Sequence, residues 1–216
     1  MNILSVAKRR YATKAFDPNF VLSSEQLNEL RSLLQLSPSS VNSQPWHFYL
    51  AVTNAGKARL ASAAHGQFAS NHPKILNAAA VVAFCVNTDL SDEYVEALVR
   101  QEVADGRFES REAAQTAADV RNFYISLHHQ LNDVQHWAEK QVYLNVGNFL
   151  LGCAAMELDA VPIEGFDQQA LNDELGLDDK QQKSVVLVAI GKAATDDFNA
   201  KLPKSRWPQA KIITQL

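Results

Sequence analysis

Most of the chain alternates hydrophobic and polar positions in short, recognisable periods, but one stretch does not. From Gln141 to Met156 (QVYLNVGNFLLGCAAM) nearly every position is apolar or small. An all-round apolar pattern predicts a helix buried on every side, in a large core or between subunits. Gln141, Asn145, Asn148 and Gly152 recur at helical spacing as one polar stripe, and buried amides need partners. The run is too short, and too interrupted by amides, for a membrane span. Val161-Pro162-Ile163-Glu164-Gly165-Phe166 then predicts a tight loop, its backbone fixed by proline and glycine and its N–H groups exposed.

The remaining pattern resolves into shorter elements. Residues 2–10 predict a short helix ending in Lys8-Arg9-Arg10, cations that suit the negative end of a helix dipole. Ser23-Ser24-Glu25-Gln26 carries a capping signature, and Leu27, Leu30, Leu33 and Leu34 form the apolar face behind it. That helix stops at Ser37, where a loop to Trp46 is dense in hydroxyls and amides and pinned by Pro38 and Pro45. His47 to Thr53 alternates as a strand. Ala55 to Ala64 reads as a helix, and Phe68 to Asn77 as a loop running into another. Ala78 to Val86 and Ser184 to Ile190 are continuous apolar runs and predict two buried strands. Ser91 to His136 predicts one or two polar helices joined around Asp105-Gly106-Arg107-Phe108, an excursion that projects from the core. Asp167 to Leu175 predicts a helix closed by Gly176. From Ala193 to Leu216 the chemistry is strand-like without a helix pattern, so this tail is expected to pair elsewhere, on a partner.

Composition adds bounds. A chain of 216 residues can bury a full core, and residues 1–216 read as one domain with the excursion at about 91–136. Apolar residues at 47% and charged residues at 20% are ordinary values for a soluble protein. A net charge of -4 leaves no electrostatic footprint for nucleic acid. The N-terminus lacks the apolar segment and cleavage site of a signal peptide. Cys85 and Cys153 lie in apolar surroundings with no nearby pairing, which fits a reducing compartment and makes the cytoplasm the expected address.

Several familiar devices are absent. Gly147 and Gly152 are the closest pair of glycines, so there is no GxGxxG and no Walker loop. The histidines show no HExxH spacing, and His128-His129 on a helix points two ways, so no metal site is expected. Ser39 and Ser40 lack the GxSxG elbow of a hydrolase nucleophile. What remains is a scatter of cations beside turn-forming loops: Arg10, Lys14, Lys74, Lys204 and Arg206.

Five separated segments, MNILSVAKRRYATKAFD, LLQLSPSSVNSQPWHF, EKQVYLNVGNFLLG, LDAVPIEGFD and FNAKLPKSRWPQ, together resemble the flavin-dependent nitroreductase family. The likeness is greatest to the oxygen-insensitive NAD(P)H nitroreductases related to dihydropteridine reductase, and weakest between residues 65 and 135. It implies an α+β fold with a mostly antiparallel central sheet flanked by helices. The long buried helix would lie at a homodimer interface, with the C-terminal tail on the partner. It also implies FMN as cofactor, NADH or NADPH as co-substrate, and two sites between the subunits. Arg10, Lys204 and Arg206 would hold the FMN phosphate, with Ala12 beside them in place of a usual hydroxyl, so that one hydrogen bond is lost. Lys14, Asn71 and Lys74 would line the isoalloxazine edge, and Pro162, Ile163, Glu164 and Gly165 would bind the cofactor, the backbone N–H groups of Glu164 and Gly165 approaching N5 and O4. Pro38, Ser39, Ser40 and Asn42 would come from the other subunit, with Gln141 from the polar stripe. Val41, Phe68, Ser70 and Tyr124 would form the substrate wall; threonine, an aromatic and phenylalanine are usual at positions 41, 70 and 124. No side chain is expected as acid or base, because the hydride transfers at FMN N5. Nitroaromatics or quinones would be reduced in a ping-pong cycle. The alternatives are a flavin or dihydropteridine reductase on the same scaffold, or a non-catalytic flavin-binding protein.

Overall fold

The computed structural model describes residues 2–216; Met1, where the first motif opens, lies outside them. Strands β1 (Trp46–Ala51), β2 (Ala80–Asn87), β3 (Asp159–Ile163) and β4 (Gln182–Gly191) form one antiparallel sheet in the order β1-β2-β4-β3. The two central strands are the two continuous apolar runs. Their side chains do alternate: Val82, Phe84 and Val86 enter one core, while Val81, Ala83 and Cys85 enter a second on the opposite face. Burial of both faces removes the polar half of a strand's two-residue period. β3 corrects the expectation of a tight loop, since Val161, Pro162 and Ile163 pair with Ala189, Val188 and Leu187. Proline is compatible with this strand because β3 is an edge.

Helix α1 (Ile3–Arg9) begins at Asn2, whose Oδ1 accepts from the amides of Leu4 and Ser5. α2 (Ser24–Gln35) starts with the capping box expected, Ser23 and Gln26 exchanging hydrogen bonds. α3 (Asn54–Ala61) and α4 (His72–Asn77) cover the second core. α5 (Asp92–Ala104) and α6 (Arg111–Gln130) contribute Val95, Ala118 and Ile125 to the first.

α7 (Val134–Ala155) starts seven residues earlier than the apolar run because Val134, Trp137 and Ala138 continue its inner face. Phe149 on this helix meets Phe84 of β2 edge-on, ring centroids 5.6 Å apart. Such a pair adds about 0.5–1.5 kcal/mol beyond area burial. A Cβ at Gly152 would lie 2.5 Å from Leu33 Cδ1, so glycine allows α2 to sit against α7. Within the protomer the helix is not buried on every side, so its core covers only part of the all-round apolar pattern. Tyr143 and Leu144 are 42% and 47% exposed in the protomer, and Gly147 and Asn148 share that open face. The polar stripe therefore divides: Gln141 and Asn145 are buried and Asn148 is not.

α8 (Gln168–Leu175) is closed by Gly176 in the left-handed region, φ 59°. The tail is exposed throughout from Lys201 and carries one short helix, α9 (Gln209–Ile212), which its strand-like composition did not predict. Among the described residues no helix is long and apolar enough to cross a membrane.

Candidate functional site

The residues expected at the site fall into three groups. The first is cationic. Lys8, Arg9 and Arg10 at the end of α1 face Lys204 and Arg206 of the tail across a cavity of about 420 Å³, with no carboxylate among its described lining residues. Burial, then the Arg206 charge, lowers the Arg10 pKa. Burial, then Arg10 and Arg206, does the same to Lys204. The neighbouring segment 11–14 is held by Asp197, fully buried, which accepts from the Lys14 amide at 3.0 Å and the Tyr11 hydroxyl at 3.4 Å. Burial and the nearby Asp159 and Asp197 push the Tyr11 phenol up to about 12. Ala12 pairs with Ala160 and gives its carbonyl to Asn199 Nδ2 at 2.7 Å.

The second group surrounds the turn after β3. Lys74 Nζ donates to Asn71 Oδ1 at 2.6 Å, and Asn71 Nδ2 donates to the Gly165 carbonyl at 2.8 Å. Burial and then the Lys14 charge lower the Lys74 pKa. A Cβ at Gly165 would lie 2.6 Å from Asn71 Nδ2 and 3.3 Å from Phe68 Cδ1, which is why the turn needs glycine. Tyr143 on α7 donates to Glu164 Oε1 at 2.6 Å, and burial plus this carboxylate raise its pKa. Ile163 is buried in the sheet, Pro162 is exposed on its edge, and Ser70 is exposed nearby in sequence.

The third group is the loop after α2. Ser40 to Asn42 form one 3₁₀ turn, and Val41, Asn42 and Gln44 all have positive φ, at 47°, 52° and 44°. Left-handed backbone is costly for a β-branched residue such as valine. The turn is tied to three helices. Gln141 Oε1 accepts from the Ser40 amide at 2.9 Å while Gln141 Nε2 donates to the Trp137 carbonyl, so both ends of that amide are engaged. Asn42 Nδ2 donates to Glu102 at 2.7 Å, and Arg121 Nε donates to the Val41 carbonyl at 2.9 Å. Ser39 Oγ accepts from the Gln44 amide, and Pro38 is exposed. Tyr124 lies one turn beyond Arg121 on α6, 40% exposed.

No hydrogen bond among the described residues joins the third group to the other two. Sequence reading missed Glu102, Arg121, Tyr143, Asp197 and Asn199. Arg121 had a legible signal: it falls in step with Ala114, Ala118 and Ile125, the buried face of α6. A charge at a core position of an amphipathic helix asks for a buried partner. Asp197 and Asn199 carried no such signal, because they belong to a single 3₁₀ turn, Phe198–Lys201, which Asp197 caps and which is too short to show a periodic pattern.

The sequence profile described as "Nitroreductase family" matches residues 7–192. The chain is 51% identical to an oxygen-insensitive NAD(P)H nitroreductase of Salmonella typhimurium over 217 residues, covering 100% of each. It is 31% identical to the major NAD(P)H-flavin oxidoreductase of Aliivibrio fischeri over 220 residues, 99% of this chain and 98% of the other. A chain solved in complex with FMN from Exiguobacterium sibiricum superimposes with a TM-score of 0.84, covering 100% of this chain and 98% of that one. At 23% identity that last likeness speaks for the fold alone.

Proposed function

The chain belongs to the nitroreductase family, and from that premise we propose how its residues serve the reaction. The protein is an FMN-dependent NAD(P)H oxidoreductase. The cationic cavity carries the assignment of residues: Lys8, Arg9, Arg10, Lys204 and Arg206 line it with no carboxylate among its described lining residues, and burial, then neighbouring positive charge, lowers the pKa of Arg10 and Lys204. A phosphate monoester would offset that charge, and guanidinium forks match its oxygens. Arg10, Lys204 and Arg206 would hold that phosphate. Lys14, Lys74 and Asn71 would hold the ring, against the turn where Gly165 leaves room for close approach. Bound FMN supplies the hydride-accepting ring and the electrons passed on, so no side chain need act as acid or base.

The assembly proposed is a homodimer with the site shared between copies. Gln141 and Tyr143 are two residues apart, about 200° around α7. The Ser40 turn, bound to the first, and the Glu164 turn, bound to the second, thus lie against opposite sides of one helix. A single planar ring meets both most simply when Pro38, Ser39, Ser40 and Asn42 come from the other copy. The open face of α7 and the exposed tail supply apolar surface for that contact.

Nitroaromatics or quinones are the proposed acceptors, reduced in a ping-pong cycle past Val41, Phe68, Ser70 and Tyr124. Flavin reduction is the second reading, favoured by the Aliivibrio fischeri relative's name. The cytoplasm is the proposed address, in keeping with Cys85 and Cys153, whose thiols burial pushes up to about 12. The purified protein should show the visible spectrum of an oxidised flavin that NADH or NADPH bleaches. Arg206→Ala should lower its flavin content well below that of Lys201→Ala, since a charge-assisted contact is worth about 1.5–3 kcal/mol. Equal flavin in the two variants would refute the phosphate assignment.

A further inference from the structure

The loop carrying Ser39, Ser40, Val41 and Asn42 holds three non-glycine residues in the left-handed region within four positions. Backbone of that kind persists only where its surroundings over-determine it. The surroundings here are a buried ion pair. Glu102 and Arg121 are 5% and 3% exposed, and Arg121 Nη2 lies 3.1 Å from both oxygens of Glu102. Both partners also hold the loop, Glu102 Oε1 accepting from Asn42 Nδ2 as well as from Arg121, and Arg121 Nε donating to the Val41 carbonyl. Tyr94 of α5 adds a hydroxyl shared between the Ser43 and Gln44 carbonyls, at 2.9 and 2.7 Å.

The pair is a poor stability device. Arg121 Nη1 is buried without a hydrogen-bond partner, and buried ion pairs are commonly matched or bettered by apolar side chains of similar volume. What an apolar pair could not do is hold a strained turn by a side-chain amide on one side and a carbonyl on the other.

We propose that Glu102 and Arg121 are positioning residues, fixing the Ser39–Asn42 turn in the conformation that meets FMN and setting the spacing between Val41 and Tyr124. The proposal rests on the flavin reading above and adds to it where that turn obtains its geometry. Because Arg121 and Tyr124 share α6, the same anchor governs both sides of the acceptor wall.

The test uses the full-length chain with its flavin removed and restored. Two variants are compared with wild type: the apolar double replacement E102L/R121M, and Arg121→Lys, which keeps a cation facing Glu102 but lacks the Nε donor to Val41. Thermal unfolding of the apoprotein, FMN Kd by fluorescence quenching, visible circular dichroism of the bound flavin and nitroaromatic KM are measured. The double variant should unfold at or above the wild-type temperature yet bind FMN about tenfold or more weakly, because small misplacements of a positioning group carry large penalties. Its bound flavin should show an altered dichroism, and its acceptor KM should rise. Arg121→Lys should move all three in the same direction by less. Wild-type Kd, dichroism and KM in either folded variant would overturn the proposal, and should the double variant not fold, Arg121→Lys decides alone. A wild-type chain that takes up no FMN would overturn the flavin reading itself, and this proposal with it.

Discussion

Gly165 shows how one atom can decide a site. The space its missing Cβ leaves is occupied by Asn71 Nδ2, which bonds the Gly165 carbonyl and is itself gripped by Lys74. Gly165→Ala should push that amide away and break the link, lowering flavin content markedly while leaving overall helicity unchanged. Flavin content and Kd report this directly, and a Gly165→Ala protein with full flavin would show that the turn tolerates the methyl. Ser70 poses the opposite problem, a small exposed side chain where the family resemblance implies an aromatic. Ser70→Phe should close the mouth of the wall and change the ratio of nitroaromatic to quinone kcat/KM, with FMN Kd held. One steric change of this sort shifts such ratios by about 1–3 kcal/mol. If flavin affinity falls and the acceptor ratio stays fixed, residue 70 belongs with the cofactor contacts.

Elements were legible to different degrees, for physical reasons. The α2 cap was readable because a capping box is a local exchange of two hydrogen bonds and needs no tertiary knowledge. The central strands announced themselves by length and apolarity. β3 did not, because Pro162 reads as a break unless the strand is known to be an edge, which is a property of the sheet and not of the segment. α7 was found by its apolar half; its first turns alternate outward polar residues with Trp137 and Ala138 and fall outside an all-round pattern. The Glu102–Arg121 anchor stayed hidden because two helices had to be folded together before the charges met. The open face of α7 gives this scale its own test. Leu144 is half exposed, so Leu144→Glu should change protomer stability by only about 0.5 kcal/mol. It should nonetheless sediment as a monomer with reduced flavin, because it places a carboxylate in the proposed contact. A fully flavinated Leu144→Glu dimer would mean that α7 is not the interface.

At the scale of the molecule, the tail is the feature with the widest reach. Lys204 and Arg206 stand at its root and face α1 across the cationic cavity, while beyond them Trp207, Ile212, Ile213 and Leu216 lie open. When the root is organised by a phosphate and the far end by a second copy, cofactor uptake and subunit pairing become one linked equilibrium. Linkage is reciprocal: whatever tightens one tightens the other by the same factor. A cell short of flavin would therefore hold loosened chains with bare tails, and exposed termini are where proteases cut first. On the proposed assembly, loss of flavin would thus make the tail a favoured site of cleavage.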